Sequence, residues 1–172
     1  MKRNLIFALV LLFAISIAPS FAQKNLKFGH IDSQQLMTMM PEREAAKKKL
    51  EQFAKQLEDQ LGVMQKEFES KYNDYVSKAD SLNDLIRETK ERELQDMQKR
   101  VQTFQQTAQQ NLAKEEEKLI QPVIDKAKKA IEDVAKENNF TYIFDVSMGV
   151  VLYYSTDSQD ILPLVKVKLG IK

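Results

Sequence analysis

Residues Ala46 to Leu82 read AKKKLEQFAKQLEDQLGVMQKEFESKYNDYVSKADSL, and the spacing of the apolar positions within this stretch decides the fold. Ala46, Leu50, Phe53, Leu57, Leu61, Met64, Phe68, Tyr72, Tyr75, Ala79 and Leu82 follow one another at steps of three or four. The recurring 3-4-4 pattern corresponds to about 3.67 residues per turn, so the stripe stays on one face of a nearly straight helix. A second stripe, Leu94, Met97, Val101, Phe104 and Ala108, has heptad spacing.

Working outward, the 97 residues from Glu42 to Asn138 contain one glycine, Gly62, and one proline, Pro122. The rest is rich in Lys, Glu, Gln, Ala and Leu, which are good helix formers. A helix with one narrow apolar stripe needs a partner. Two stripes in tandem with a polar break between them predict an antiparallel hairpin over residues 42–138. The break lies near residues 79–87, where Asp80, Ser81 and Asn83 suit a turn and an N-cap. Each arm would reach roughly 55 Å. Charged pairs such as Glu44–Lys48, Glu67–Lys71 and Glu88–Arg92 mark solvated faces. Pro122 is expected to bend the returning helix, because proline lacks the N–H donor and crowds the preceding turn. Around it, Leu119, Ile120, Val123, Ile124, Ala127, Ile131 and Val134 spread over more than one stripe, which predicts burial against more than one neighbour.

The ends of the chain read differently. Residues 1–22 have the form of a cleaved secretory signal: Lys2 and Arg3, an apolar run from Leu5 to Ile17, and Ser20-Phe21-Ala22 as the cleavage triplet. The chain is therefore expected to be exported, with Gln23 as its first mature residue. Residues 23–41 and 139–172 are expected to form a small β-rich body. Leu26 to Ile31 predicts a strand, followed by a short helix capped by Asp32 or Ser33 and stopped at Pro41. Phe140–Asp145 and Val150–Tyr154 predict a β-hairpin around Ser147-Met148-Gly149, and Asp160 to Leu169 a last helix. Phe140, Tyr142 and Phe144 alternate with Ile143, so the strands are apolar on both faces. A body this small with two apolar faces is expected to oligomerise through its sheet, with Phe144, Val150 and Leu152 in the interface.

Composition excludes several functions. There is no cysteine and a single histidine, His30, so no thiol–histidine pair, zinc cluster or disulfide framework is expected. No glycine loop suited to phosphate is present, and no cofactor or metal is expected. Without Lys2 and Arg3, 24 basic residues face 25 acidic ones, which gives no general attraction to nucleic acid. No second apolar stretch approaches membrane length, so stable membrane insertion is not expected. Asp32 and Asp145 end strands expected to lie side by side. A paired-carboxylate hydrolase site is one reading of them, and capping and turn roles are the other. The reading is non-enzymatic. Phe53, Met64, Phe68, Tyr72, Tyr75, Met97 and Phe104 on the arms either pack the helices together or, where exposed, contact apolar clients. Flexible methionine and broad aromatic faces suit promiscuous binding.

The order of these parts resembles the Skp/OmpH family of periplasmic chaperones. The likeness rests on Phe28-Gly-His-Ile-Asp32, the long charged hairpin, Tyr142-Ile-Phe-Asp145, Gly149-Val-Val-Leu-Tyr-Tyr154 and Asp160-Ile-Leu. It covers essentially all of residues 23–172. The resemblance implies a homotrimer with a β-rich body and three helical arms around a cavity. It also implies ATP-independent holding of unfolded outer-membrane proteins in the periplasm. The mixed charge of these arms departs from the strongly basic arms typical of that family. The competing reading is a structural or adaptor coiled coil of the cell envelope.

Overall fold

The computed structural model describes residues 26–171; the expected signal segment 1–22 lies outside them. Strand β1 spans Phe28–Ile31 and helix α1 spans Ser33–Met39. Asp32 caps α1, its Oδ1 accepting from the Gln35 backbone N–H at 2.8 Å. Helix α2 runs 38 residues, Pro41–Lys78. Pro41 sits in its first turn, where the missing N–H costs nothing, so this proline opens α2 as well as closing α1. A 3-10 turn, Ala79–Ser81, reverses the chain. Helix α3 then runs 54 residues, Asp84–Glu137. Asn83 caps it by accepting from Ile86 N–H at 2.9 Å.

Pairs across the two helices have residue numbers of nearly constant sum. Glu42 pairs with Lys126, Lys71 with Glu93, and Tyr75 with Glu91, giving 168, 164 and 166. Leu57 and Leu61 meet Phe104 and Ala108 with the same offset. A constant sum is the signature of antiparallel helices in unbroken register, and half of 166 is 83, the cap residue at the turn. Pro122 does not interrupt α3, which continues for a further 15 residues to Glu137.

Helix α3 ends where Asn139 takes a left-handed conformation, φ 57°. The Phe140 N–H then returns to the Ala135 carbonyl at 2.9 Å, satisfying a terminal carbonyl. Strand β2 is Tyr142–Asp145, β3 is Gln159–Asp160, and the last helix, α4, is Leu162–Leu169. The sheet order is β2-β1-β3, with β1 parallel to both neighbours.

This corrects the expected β-hairpin. Residues 150–154 form no strand: they leave the outer edge of β2 open and instead run beside the outer sheet face, where Leu152, Tyr153 and Tyr154 line a groove with Phe28 and Phe144. The third strand is the polar pair Gln159–Asp160, which also moves the start of the last helix from Asp160 to Leu162. Parallel pairing requires long crossovers. The whole hairpin joins β1 to β2, and residues 146–158 carry β2 past β1 to β3.

Ile31, Leu36, Met40, Ile161 and Val165 are essentially inaccessible. They join Val123, Ala127, Ala130, Val134 and Leu162 in one cluster. The last turns of α3 therefore belong to the core of the body, against α1, α4 and the inner face of the sheet. Phe140 packs on this core and not on the outer sheet face where alternation had put it. Gly29 permits the close approach: a Cβ there would lie 2.8 Å from Ile143 Cδ1, 3.0 Å from Phe140 Cε1 and 3.1 Å from Ile161 Cγ2.

Candidate functional site

The register Phe28↔Tyr142, Gly29↔Ile143, His30↔Phe144 sorts the sheet into two faces. Gly29, Ile31 and Ile143 face the core. Phe28, Tyr142, Phe144 and His30 face away from it. The Phe28, Tyr142 and Phe144 rings stand 6.2 Å apart, Phe28 stacked nearly parallel on Tyr142. His30 stacks on Tyr154 at 4.1 Å, and its Nδ1 lies 2.9 Å from Ser158 Oγ. These two contacts fasten the crossover 146–158 over the sheet edge. Between crossover and sheet lies a groove of about 980 Å³, lined by Leu26, Phe28, Phe144, Leu152, Tyr153 and Tyr154 among others.

The residues expected at an interface all lie on this outer side. Val150 is 80% exposed, Leu152 95% and Phe144 42%. Sequence reasoning missed Phe28, Met148 and Tyr153, which are also exposed. The alternation Phe28-x-His30 opposite Tyr142-x-Phe144 was the available signal for Phe28. A continuous aromatic surface of this kind is uncommon on a chain that stays alone in water.

The arm is the second surface. Of its expected client-contacting residues, Met97 is buried within the hairpin, at 5% exposure, and Tyr72 is exposed. Phe53, Met64, Phe68, Tyr75 and Phe104 are half-buried. Phe68 and Tyr72 stack at 6.1 Å, one turn apart. Val63, Val76, Leu85 and Ile86, outside the regular stripe, are exposed as well. Along the arm outside the body core, Ala46 and Met97 alone are fully buried among the described residues.

The paired-carboxylate reading fails on geometry. Asp32 is taken up by the cap of α1. Asp145 Oδ1 accepts from the backbone N–H of Ser33 at 3.2 Å and of Ser147 at 3.0 Å, and its other oxygen from Ser33 Oγ. Partial burial pushes the Asp145 carboxyl up, but the hydrogen bonds from Ser33 and Ser147 outweigh it and hold the group below the usual carboxylate range. Asp32 fastens the end of β1 to helix α1, and Asp145 fastens the end of β2 to Ser33 and Ser147. Among the described residues no cluster of His, Asp or Glu is placed to hold a metal ion, and no helix is long and apolar enough to cross a membrane.

The family described as outer membrane protein (OmpH-like) matches residues 27–169. Among solved structures, the chain is similar to a candidate outer membrane chaperone (OmpH-like) from Caulobacter crescentus CB15. That match has 15% identity, a TM-score of 0.71, and coverage of 89% of each chain. None of the curated proteins matches the sequence.

Proposed function

The chain belongs to the OmpH-like outer membrane protein family, and on that premise we propose that it is an ATP-independent holdase that binds unfolded outer-membrane proteins in the periplasm and keeps them from aggregating. The observation that carries this reading is the half-covered apolar stripe of the arm. Two helices of this length, with only Ala46 and Met97 fully buried along them outside the body core, keep aromatic and methionine surface within reach of another chain. Such surface binds weakly and broadly, which suits clients that share no sequence. No nucleotide chemistry enters. Release follows from the client's own folding, because each contact is weak.

Assembly follows from the other surface. A homotrimer whose subunits cover one another's Phe144, Val150 and Leu152 would bury the aromatic sheet face and set three arms around a shared space. The mixed charge of the arms points to enclosure and apolar contact as the means of capture, with electrostatic attraction secondary.

The test is light scattering from a diluted, unfolded β-barrel protein in the absence of nucleotide. Suppression of aggregation near one trimer per client is the expected result. A chain that leaves aggregation unchanged, yet retains one folded partner on a column, is an adaptor instead. Light scattering of the protein alone should give three times the protomer mass, and a folded monomer at low micromolar concentration would remove the trimer.

A further inference from the structure

Beside a thin apolar stripe, three polar contacts cross between the helices at the far end of the arm. Tyr75 Oη donates to Glu91 at 2.6 Å, Lys71 pairs with Glu93, and Lys90 Nζ lies 4.0 Å from Asp74. All three bridge α2 to α3. Asp74 is also held by Lys78 on its own helix. In the same stretch the apolar side chains Val63, Tyr72, Val76, Leu85 and Ile86 are exposed, and Met97 alone is fully buried. The near end also carries one cross-helix ion pair, Glu42–Lys126, but there the base of α3 enters the body core, Ala46 is buried, and Leu50 lies beside Leu119 and Ile120.

Gly62 marks the boundary between the two parts. It is the one glycine in either long helix, and a Cβ placed on it would meet nothing within 4 Å. Beside it, Leu57 and Leu61 on α2 and Phe104 and Ala108 on α3 line an open groove of about 420 Å³, one of several along the seam. Helix propensity is low at this point.

We propose that residues 63–103 form a distal segment of the arm that opens as ionic strength rises, released by screening of the Lys71–Glu93, Lys90–Asp74 and Tyr75–Glu91 clasp and bounded on α2 by Gly62. The Lys71 and Glu93 side chains are each more than 40% exposed, so mobile ions reach them. The Debye length shrinks from about 10 Å at 0.1 M salt to about 3 Å at 1 M, which weakens such pairs while leaving apolar burial in place. The clasp therefore yields to salt where the body does not. Under the holdase reading, on which the functional meaning of this segment rests, salt would set how far the arm ends part to admit a client.

Hydrogen exchange on the full mature protein at pH 7.5, in 0.05 M and 0.5 M sodium chloride, tests this. Peptides within residues 64–100 are expected to exchange at least threefold faster in high salt, with those from the body unchanged. The Lys71→Gln/Glu93→Gln double variant should show fast exchange already at low salt and lose most of its salt response. The Lys71→Glu/Glu93→Lys exchange of charges should restore protection to within about twofold of the original. A salt response absent from residues 64–100, equal along the whole arm, or undiminished in the double variant would overturn the clasp. Aggregation suppression is read separately, so the clasp stands or falls by exchange whether or not the protein proves to be a holdase.

Discussion

At the body, Leu36, Ile161 and Val165 have no accessible surface, and buried residues from β1, α1, α3 and α4 meet in one cluster. Along the arm, two helices lie in unbroken register for more than thirty residues with only Ala46 and Met97 buried to a similar degree. The body is thus secured by packing, in which each side chain has neighbours from several elements. The arm is secured by register, in which each turn leans on one turn of its partner. A packed cluster fails all at once. A register of weak, repeated contacts opens piecewise and leaves apolar surface available as it does so.

The largest expected effect breaks the comparison at its strong side. Leu36→Ala removes a fully buried side chain at the centre of the body and should cost about 2–5 kcal/mol in urea unfolding, measured at fixed protomer concentration because assembly shifts the midpoint. Met97→Ala, in the thin core of the arm, should cost clearly less, since solvent and the exposed neighbours can close over the space. Equal losses at the two sites would mean that arm and body are one packed unit.

An intermediate effect comes from Gly62. Gly62→Ala meets no steric obstacle and should stabilise the arm by about 1 kcal/mol through helix propensity. Exchange protection on both sides of residue 62 should rise, with the body unchanged. A loss of stability would show that a side chain at residue 62 strains the hairpin.

The smallest effect concerns acid. Asp145 is held below its ordinary range by Ser33 and Ser147. Its contribution is full above the unfolded carboxylate value of 3.8 and is lost as pH falls through the lower, folded value. Glu93 and Asp74 on the arm are lowered in the same sense by Lys71 and Lys78. Asp145→Asn should lower the melting temperature at pH 7 by no more than about 3 °C and flatten its decline below pH 4. A decline as steep as that of the original protein would assign the acid sensitivity to the arm.

The arm was legible because its two determinants are local. A 3-4-4 spacing and the near absence of glycine and proline do not depend on the rest of the molecule, and Asn83 caps the helix it precedes. The sheet was less legible, because pairing is decided between segments far apart in the chain. Val150-Val-Leu-Tyr-Tyr154 has strand composition and stays out of the sheet, although the outer edge of β2 is open. Gln159-Asp160 has no strand composition and is given an edge by β1. The arm surface was partly legible for the same reason: the stripe names the apolar residues, but the register of the hairpin decides that Met97 is covered and Tyr72 is not. Val63, Val76, Leu85 and Ile86 belong to neither stripe, although Val76, Leu85 and Ile86 stand three or four residues from stripe members.

The crossover between β1 and β2 has a consequence for how the chain reaches this state. Lys27 and Thr141, which bond at the start of that ladder, lie 114 residues apart. Closing so long a loop from a random chain is entropically expensive and slow. Zipping from the turn at residues 79–83 needs only neighbours in sequence, and each added turn draws the two ends nearer. Once the hairpin is complete, the loop left to close is about ten times shorter, a saving of roughly 2 kcal/mol in closure entropy. The arm therefore acts as the folding scaffold of the body. Because β2, β3 and α4 all come after the arm in sequence, β1 has no partner until the final thirty or so residues have been made, so the body is the last part of this molecule to exist.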